Sequence, residues 1–149
     1  MDFSDLDEIG KVLTYLIPVI IIILTNVIFR KQKQQKERLK VVRSLLSELD
    51  SNQKIIEAFS VQWQTKKFKT ATWKRNKDKM DYIDQGLRYT LADAFEIAEE
   101  FNREIDAAKK HKSTSYLAGI RVDRLREPLA KSKQGLEQWL QLQQGKKKL

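Results

Sequence analysis

The chain has 149 residues, 41% of them hydrophobic, and carries a formal net charge of +9 at pH 7. This length suits one domain with an appendage. Because there is no cysteine and a single histidine, His111, the composition excludes disulfides, cysteine nucleophiles and metal clusters built from several such ligands. Five glycines and two prolines are too few for a turn-rich β-sandwich. The composition therefore indicates a mostly helical, basic protein.

Residues 12–29 form an uncharged, apolar stretch that predicts a transmembrane helix. Its 18 residues would span about 27 Å at helical rise, close to the hydrocarbon thickness of a bilayer. Pro18 lies inside it, which membrane helices tolerate. A cleaved signal peptide and a buried soluble helix are the alternatives. The signal peptide is disfavoured because acidic residues, rather than basic ones, precede the apolar stretch.

The charges that flank this stretch predict its orientation. Residues 1–11 hold four acids and one base, whereas residues 30–40 hold six bases and one acid. Under the positive-inside rule, the short tail 1–11 is outside and residues 30–149 are in the cytoplasm. The bilayer is thus the first expected partner. The bases expected at its interface are Lys11, Arg30, Lys31, Lys33 and Lys36.

The cytoplasmic part is predicted to be all-α, with helices at about 31–59, 79–112 and 115–144. Apolar residues recur at helical spacing from Leu39 to Phe59, and again from Ile83 to Ala108, where Asp78 is the expected N-cap. A coiled coil is the rival interpretation of the first helix, but its heptads end near residue 52. In the third helix, Pro128 predicts a kink or a short break.

We expect these helices to form an antiparallel three-helix bundle that continues from the transmembrane helix. A second helix that returns toward the membrane would add Lys109, Lys110 and Lys112 to the interface, and would leave residues 146–148 at the distal end. The C-terminal residues 146–149 (KKKL) also resemble a dilysine retrieval signal, which would matter only in a eukaryote.

Much of the positive charge has an internal counterpart. Residues 30–77 carry +10, residues 78–106 carry −6 and residues 107–149 carry +8, so the acidic second helix can pair with two basic neighbours. Its carboxylates Glu96, Glu100 and Glu104 could serve acid–base or metal chemistry, but a solvated or ion-paired face is the simpler interpretation. Since the sequence has neither a Glu-x-x-His motif nor a glycine-rich phosphate loop, we expect no enzyme, cofactor or small-molecule substrate.

The connector, residues 61–79, alternates basic and aromatic residues. Such a pattern can bind an acidic protein, single-stranded nucleic acid or a membrane interface. Alternatively, the aromatic rings cap the bundle and the lysines are simply solvated. We expect a membrane-anchored adaptor or scaffold that binds an acidic protein partner here, with nucleic-acid tethering as the alternative. The predicted partner-binding residues are Trp63, Lys66, Lys67, Phe68, Lys69, Trp73, Lys74 and Arg75.

Three short segments carry a resemblance: residues 45–52 (LLSELDSN), 68–73 (FKTATW) and 95–102 (FEIAEEFN). In this order, after an apolar span, they resemble a loose group of small bacterial single-span membrane proteins of unknown function. The resemblance covers residues 12 to about 102 and implies an architecture without an activity. It also suggests that Asn52, Trp73 and Asn102 are structural, with the two amides bonding backbone groups of the connector.

Overall fold

The computed structural model describes residues 3–62, 66–112 and 114–145, and the side chains within 12–59, 66–112 and 115–145. The regular secondary structure of these residues is entirely helical, which confirms the all-α class for this part of the chain. The α-helices are α1 (Phe3–Gln62), α2 (Ala71–Asn76), α3 (Gln85–Lys110), α4 (Thr114–Ala118) and α5 (Arg126–Gly145). Two 3₁₀ turns, Lys77–Lys79 and Val122–Leu125, precede α3 and α5.

The chain divides into two compact units, Met1–Arg38 and Leu39–Leu149. In the first unit, α1 carries an apolar window with a mean hydropathy of 2.6, none of which is buried. Within the described residues, α1 is the one helix long and apolar enough to cross a membrane, judged by length and composition. Its large side chains from Val12 to Phe29 are each at least 44% exposed, so none of the described residues covers them.

The second unit has a hydrophobic core to which α1, α3 and α5 all contribute. Helix α1 supplies one stripe, from Val42 to Phe59, and α3 supplies another, from Leu91 to Ala108. Shorter segments complete the core with Phe68, Trp73, Met80, Ile83, Leu117, Ile120 and Val122, and α5 and the turn before it add Leu125, Leu129 and Leu136. The core stripes of α1 and α3 are therefore those that the helical periodicity predicts.

Hydrogen bonds fix the direction in which the connector runs. Asn52 and Glu48, one helical turn apart on α1, bond the backbone of Lys69 and Thr72 respectively. The chain from residue 69 to 72 thus runs opposite to α1. On its other side, Phe68 bonds Asn102, whereas the later Trp73 stacks on Phe95, an earlier residue of α3. The connector is therefore antiparallel to both helices.

These contacts indicate that α3 runs in the same direction as α1 beside the connector, whereas the sequence predicts a second helix that returns toward the start of the first. The physical reason is that the chain from residue 66 to residue 84 already runs back alongside the core before α3 begins. With that direction, Lys109, Lys110 and Lys112 would lie nearer the end of α1 than Leu39, and their contact with a membrane stays a prediction. Helix α5 does run opposite to α3.

The direction of α5 relative to α3 follows from three contacts. Arg124, just before α5, lies near Glu100, while Ser132 bonds the carbonyl of Thr90. Further along, the Trp139 indole N–H lies 3.3 Å from the carbonyl of Tyr82. Later residues of α5 therefore meet earlier residues of α3. The close approach of the two helices uses Gly135, since a Cβ built there would lie 2.4 Å from Leu87 Cδ1.

Two predicted boundaries need correction. Helix α3 begins at Gln85 instead of 79, because Asp84 is the N-cap whose carboxylate accepts from Leu87 N at 2.9 Å. Residues 77–79, including the expected cap Asp78, form a 3₁₀ turn. The third predicted helix is interrupted before Arg126, and Pro128 lies in the first turn of α5, where a missing N–H costs no helical hydrogen bond.

Candidate functional site

Residues 66–70, a non-helical segment of the connector, are bonded on both sides by asparagine side chains. The Asn52 amide donates to the carbonyl of Lys69 at 2.8 Å and accepts from its N–H at 2.6 Å. Asn102 does the same for Phe68, at 2.9 and 2.7 Å. Successive residues of an extended chain direct their peptide groups to opposite sides, so one amide from α1 and one from α3 serve neighbouring residues. We call these two side chains the asparagine pair.

Glu48 continues this row of contacts on α1. Its Oε1 accepts from the N–H of Thr72 at 2.7 Å, which satisfies a free donor in the first turn of α2. Thr70, at the N-cap of α2, makes no side-chain capping bond, so Glu48 provides the cap from another helix. The residue is only 8% exposed, and its Oε2 has no hydrogen-bond partner within the described residues.

Phe68 and Trp73, the aromatic residues of the connector that the structure describes, belong to the core. Phe68 is 3% exposed and lies 5.9 Å from Phe101, measured between ring centroids. Trp73 is 7% exposed and stacks on Phe95 with ring centroids 5.3 Å apart and an interplanar angle of 7°. Neither ring is therefore available to stack on a base or to anchor a protein partner. Trp63 lies outside the described residues.

The basic residues of the connector divide into two groups. Lys67 pairs with Asp106 at 2.6 Å and Lys74 with Glu99 at 3.5 Å, both acids being on α3. The side chains of a second group are exposed and make no ion pair with any residue that the structure describes. This group consists of Lys66, Lys69, Arg75, Lys77 and Lys79.

A cleft of about 700 Å³ opens between α1, the connector and α3. Its lining combines an apolar floor with four bases and three acids. The lining residues are Glu48, Lys67, Phe68, Lys69, Thr70, Ala71, Lys74, Glu99, Asn102, Arg103 and Asp106. Glu48 and Arg103 were not among the site residues expected from sequence. The available signal for Glu48 was its position: it shares helical spacing with Leu45 and Asn52, so an acid lies within an apolar stripe.

The carboxylates proposed for an enzymatic alternative lie mostly on the surface. Glu96 is exposed, Glu100 lies 3.5 Å from Arg124, and Glu104 is half-buried. Glu96 and Glu100 line a depression of about 320 Å³, which does not include Glu104. In the described part of the chain, no group of three or more His, Cys, Asp or Glu side chains is arranged to bind a metal ion.

The remaining predicted site residues are placed as follows. Arg30, Lys31, Lys33 and Lys36 lie on α1 directly after the apolar window and are exposed, and Lys11 lies on the same helix before it. Lys109, Lys110 and Lys112 are exposed at the C-terminal end of α3. Residues 146–149, with the C-terminal lysines, lie outside the described residues.

Comparisons with protein-family models, with curated proteins and with solved structures found no match to this chain. Its function is therefore inferred from the placement and chemistry of its own residues.

Proposed function

We propose that the protein is a single-pass membrane protein with its N-terminus outside and its second unit in the cytoplasm. Support comes from the apolar window of α1, none of which is buried by the part of the chain that the structure describes, and from the bases that follow it. Exposed apolar surface of this extent is unfavourable in water and favourable in lipid. The experiment is protease protection of the full chain in sealed inverted vesicles, where digestion of residues 39–145 would support the orientation and protection would contradict it.

For the second unit, the proposed architecture is a bundle of three long helices in which α1 and α3 are parallel and α5 is antiparallel. The connector would pass along the groove between α1 and α3. The cytoplasmic part of this bundle is proposed to be a non-enzymatic adaptor that binds an acidic protein partner.

One observation carries the adaptor proposal: the described part of the connector buries Phe68 and Trp73 but leaves five bases exposed and unpaired within the described chain. Packing in the core accounts for the presence of Phe68 and Trp73, and ion pairs with α3 account for the presence of Lys67 and Lys74. The exposed bases have no such role, and Asp78 is the one acid in the sequence of the connector, residues 61–79. An acidic surface on a partner would be electrostatically complementary to them, which favours association and its specificity.

The test is affinity purification of the full chain from native membranes in mild detergent, with nuclease treatment. A variant with Lys66, Lys69 and Arg75 changed to Glu alters surface charge without touching a buried ring or an ion pair. The matched control changes Lys109, Lys110 and Lys112 to Glu, an equal change of charge elsewhere. A protein retained after nuclease treatment, lost in the first variant and kept in the control, would support the adaptor. Equal retention by both variants would contradict it.

Nucleic-acid tethering is the second candidate, because the same exposed bases can neutralise phosphates. It predicts binding to DNA or RNA that falls steeply as salt increases. The burial of Phe68 and Trp73 removes the stacking that single-stranded binding uses, which is why the acidic protein is preferred. A nuclease-sensitive signal in the same purification would reverse that preference.

A further inference from the structure

Glu48 holds a carboxyl oxygen atom in an unusual situation. The residue is more than nine-tenths buried, and its Oε1 is used to cap α2. The second oxygen, Oε2, is enclosed and receives no hydrogen bond from the described residues. A buried carboxylate oxygen without a donor is unfavourable, and native proteins keep few of them. Capping α2 requires one oxygen and leaves the other unexplained.

The charges around the cleft show what would complement this oxygen. Of its seven charged side chains, two lysines are already paired with Asp106 and Glu99. The three that remain are Glu48, inside, and the exposed bases Lys69 and Arg103, neither of which makes an ion pair with a described residue. The unpaired groups are thus an enclosed oxygen atom of Glu48 and two exposed cations, and Phe68 and Ala71 are among the apolar residues of the same lining.

We propose that this cleft binds a small zwitterion that carries a primary ammonium group and a carboxylate, that is, a free amino acid or the N-terminal residue of a short peptide. The ammonium group donates to Glu48 Oε2, and the carboxylate lies against Lys69 and Arg103. Both interactions are charge-assisted, and charge-assisted hydrogen bonds are the stronger kind. The cleft volume of about 700 Å³ lies within the range of small-molecule sites.

Access to Oε2 requires a side chain of the lining to move. Of the two paired lysines, Lys74 is held less closely: its nitrogen lies 3.5 Å from Glu99, against 2.6 Å for Lys67 and Asp106. The side chain of Lys74 is also 58% exposed. Of the two ion pairs in the lining, the pair of Lys74 and Glu99 is therefore the one that breaks at the smaller cost.

The test uses the full chain in detergent micelles, titrated while the backbone amide signals of residues 68–74 are followed by NMR. Glycine, alanine and leucine are the first probes, with their N-acetyl derivatives, which lack the ammonium group, and the corresponding alkylamines, which lack the carboxylate. We expect saturable shifts with the free amino acids and little response to either incomplete analogue. Dialanine distinguishes a peptide N-terminus from a free amino acid. Absence of any response to all of these probes would overturn the proposal.

The variant Glu48→Gln separates a binding role from a structural one. Its amide oxygen can still accept from Thr72, so the cap of α2 is kept, but its NH₂ group opposes an ammonium ion. Affinity for the amino acid should fall about tenfold or more, whereas thermal unfolding should occur at the same or a higher temperature. The matched control is Glu96→Gln, an exposed residue outside the cleft. Unchanged affinity in Glu48→Gln would refute the assigned contact.

Discussion

The asparagine pair is the feature whose removal gives the clearest stability prediction. Asn52→Ala deletes two hydrogen bonds to the peptide groups of Lys69, at 2.8 and 2.6 Å. At about 1 kcal/mol each, their loss costs about 2 kcal/mol. The higher helix propensity of alanine in α1 returns about 0.5 kcal/mol. The net expectation is a decrease of about 1.5 kcal/mol in the free energy of unfolding, and a melting temperature lower by several degrees.

The measurement is urea unfolding of the full chain in detergent, followed by tryptophan fluorescence and near-ultraviolet circular dichroism. Far-ultraviolet signals are less useful because the first unit contributes helix that need not unfold. Gln53→Ala is the matched control: this neighbour is exposed and, among the described residues, bonds Glu57 on its own helix, so its change should stay within about 0.5 kcal/mol. If Asn52→Ala were no more destabilising than Gln53→Ala, the amide contacts would contribute nothing.

Three further predictions concern other contacts of the second unit. Asn52→Ala combined with Asn102→Ala should destabilise by less than the sum of the single changes, because the first change already frees the segment that both side chains bond. The test is the free energy of unfolding of the native chain, the two single variants and the double variant. In a Leu87→Ala background, Gly135→Ala should raise the free energy of unfolding by about 1 kcal/mol, because alanine has the higher helix propensity and the Leu87 side chain is gone. In the native chain the new Cβ would clash with Leu87, so the same substitution should be less favourable. Asp50 raises the pKa of Lys133 through a hydrogen bond and its charge, so this pair adds stability below the unfolded pKa of lysine that is lost as pH rises through the folded pKa. The loss should stay below about 1 kcal/mol, since the pair is partly exposed. Asp50→Asn should abolish this pH-dependent loss when the free energy of unfolding is measured across the alkaline range.

Sequence periodicity predicts the helices and their core faces well, because burial repeats every three to four residues along α1 and α3. It places the start of α3 too early for a specific reason. Ile83 is in phase with the stripe and is buried, yet the chain around it is not helical, since Asp84 caps the helix one residue later. The first buried residue and the first helical residue differ here, and the helical spacing of apolar residues cannot distinguish between them.

The candidate site could be predicted only in part. Basic and aromatic residues alternate in the connector, but the described aromatic residues are buried, whereas the bases are either ion-paired or exposed. Which of them face solvent depends on contacts with α1 and α3 that are 17 to 39 residues away in sequence. The charge partition does anticipate one aspect: acidic α3 forms ion pairs both with the connector, through Lys67 and Lys74, and with the turn before α5, through Arg124.

The direction of α3 has a physical explanation in three polar side chains. A non-helical segment that passes between two helices carries peptide groups that water no longer satisfies, so it is stable there only if side chains bond them. Asn52, Asn102 and Glu48 supply five such bonds to residues 68, 69 and 72. Without them, a connector that stayed outside the core would let α3 return antiparallel to α1, the arrangement that simple helical hairpins adopt. We therefore expect these polar residues to favour the proposed direction of α3 over the antiparallel one.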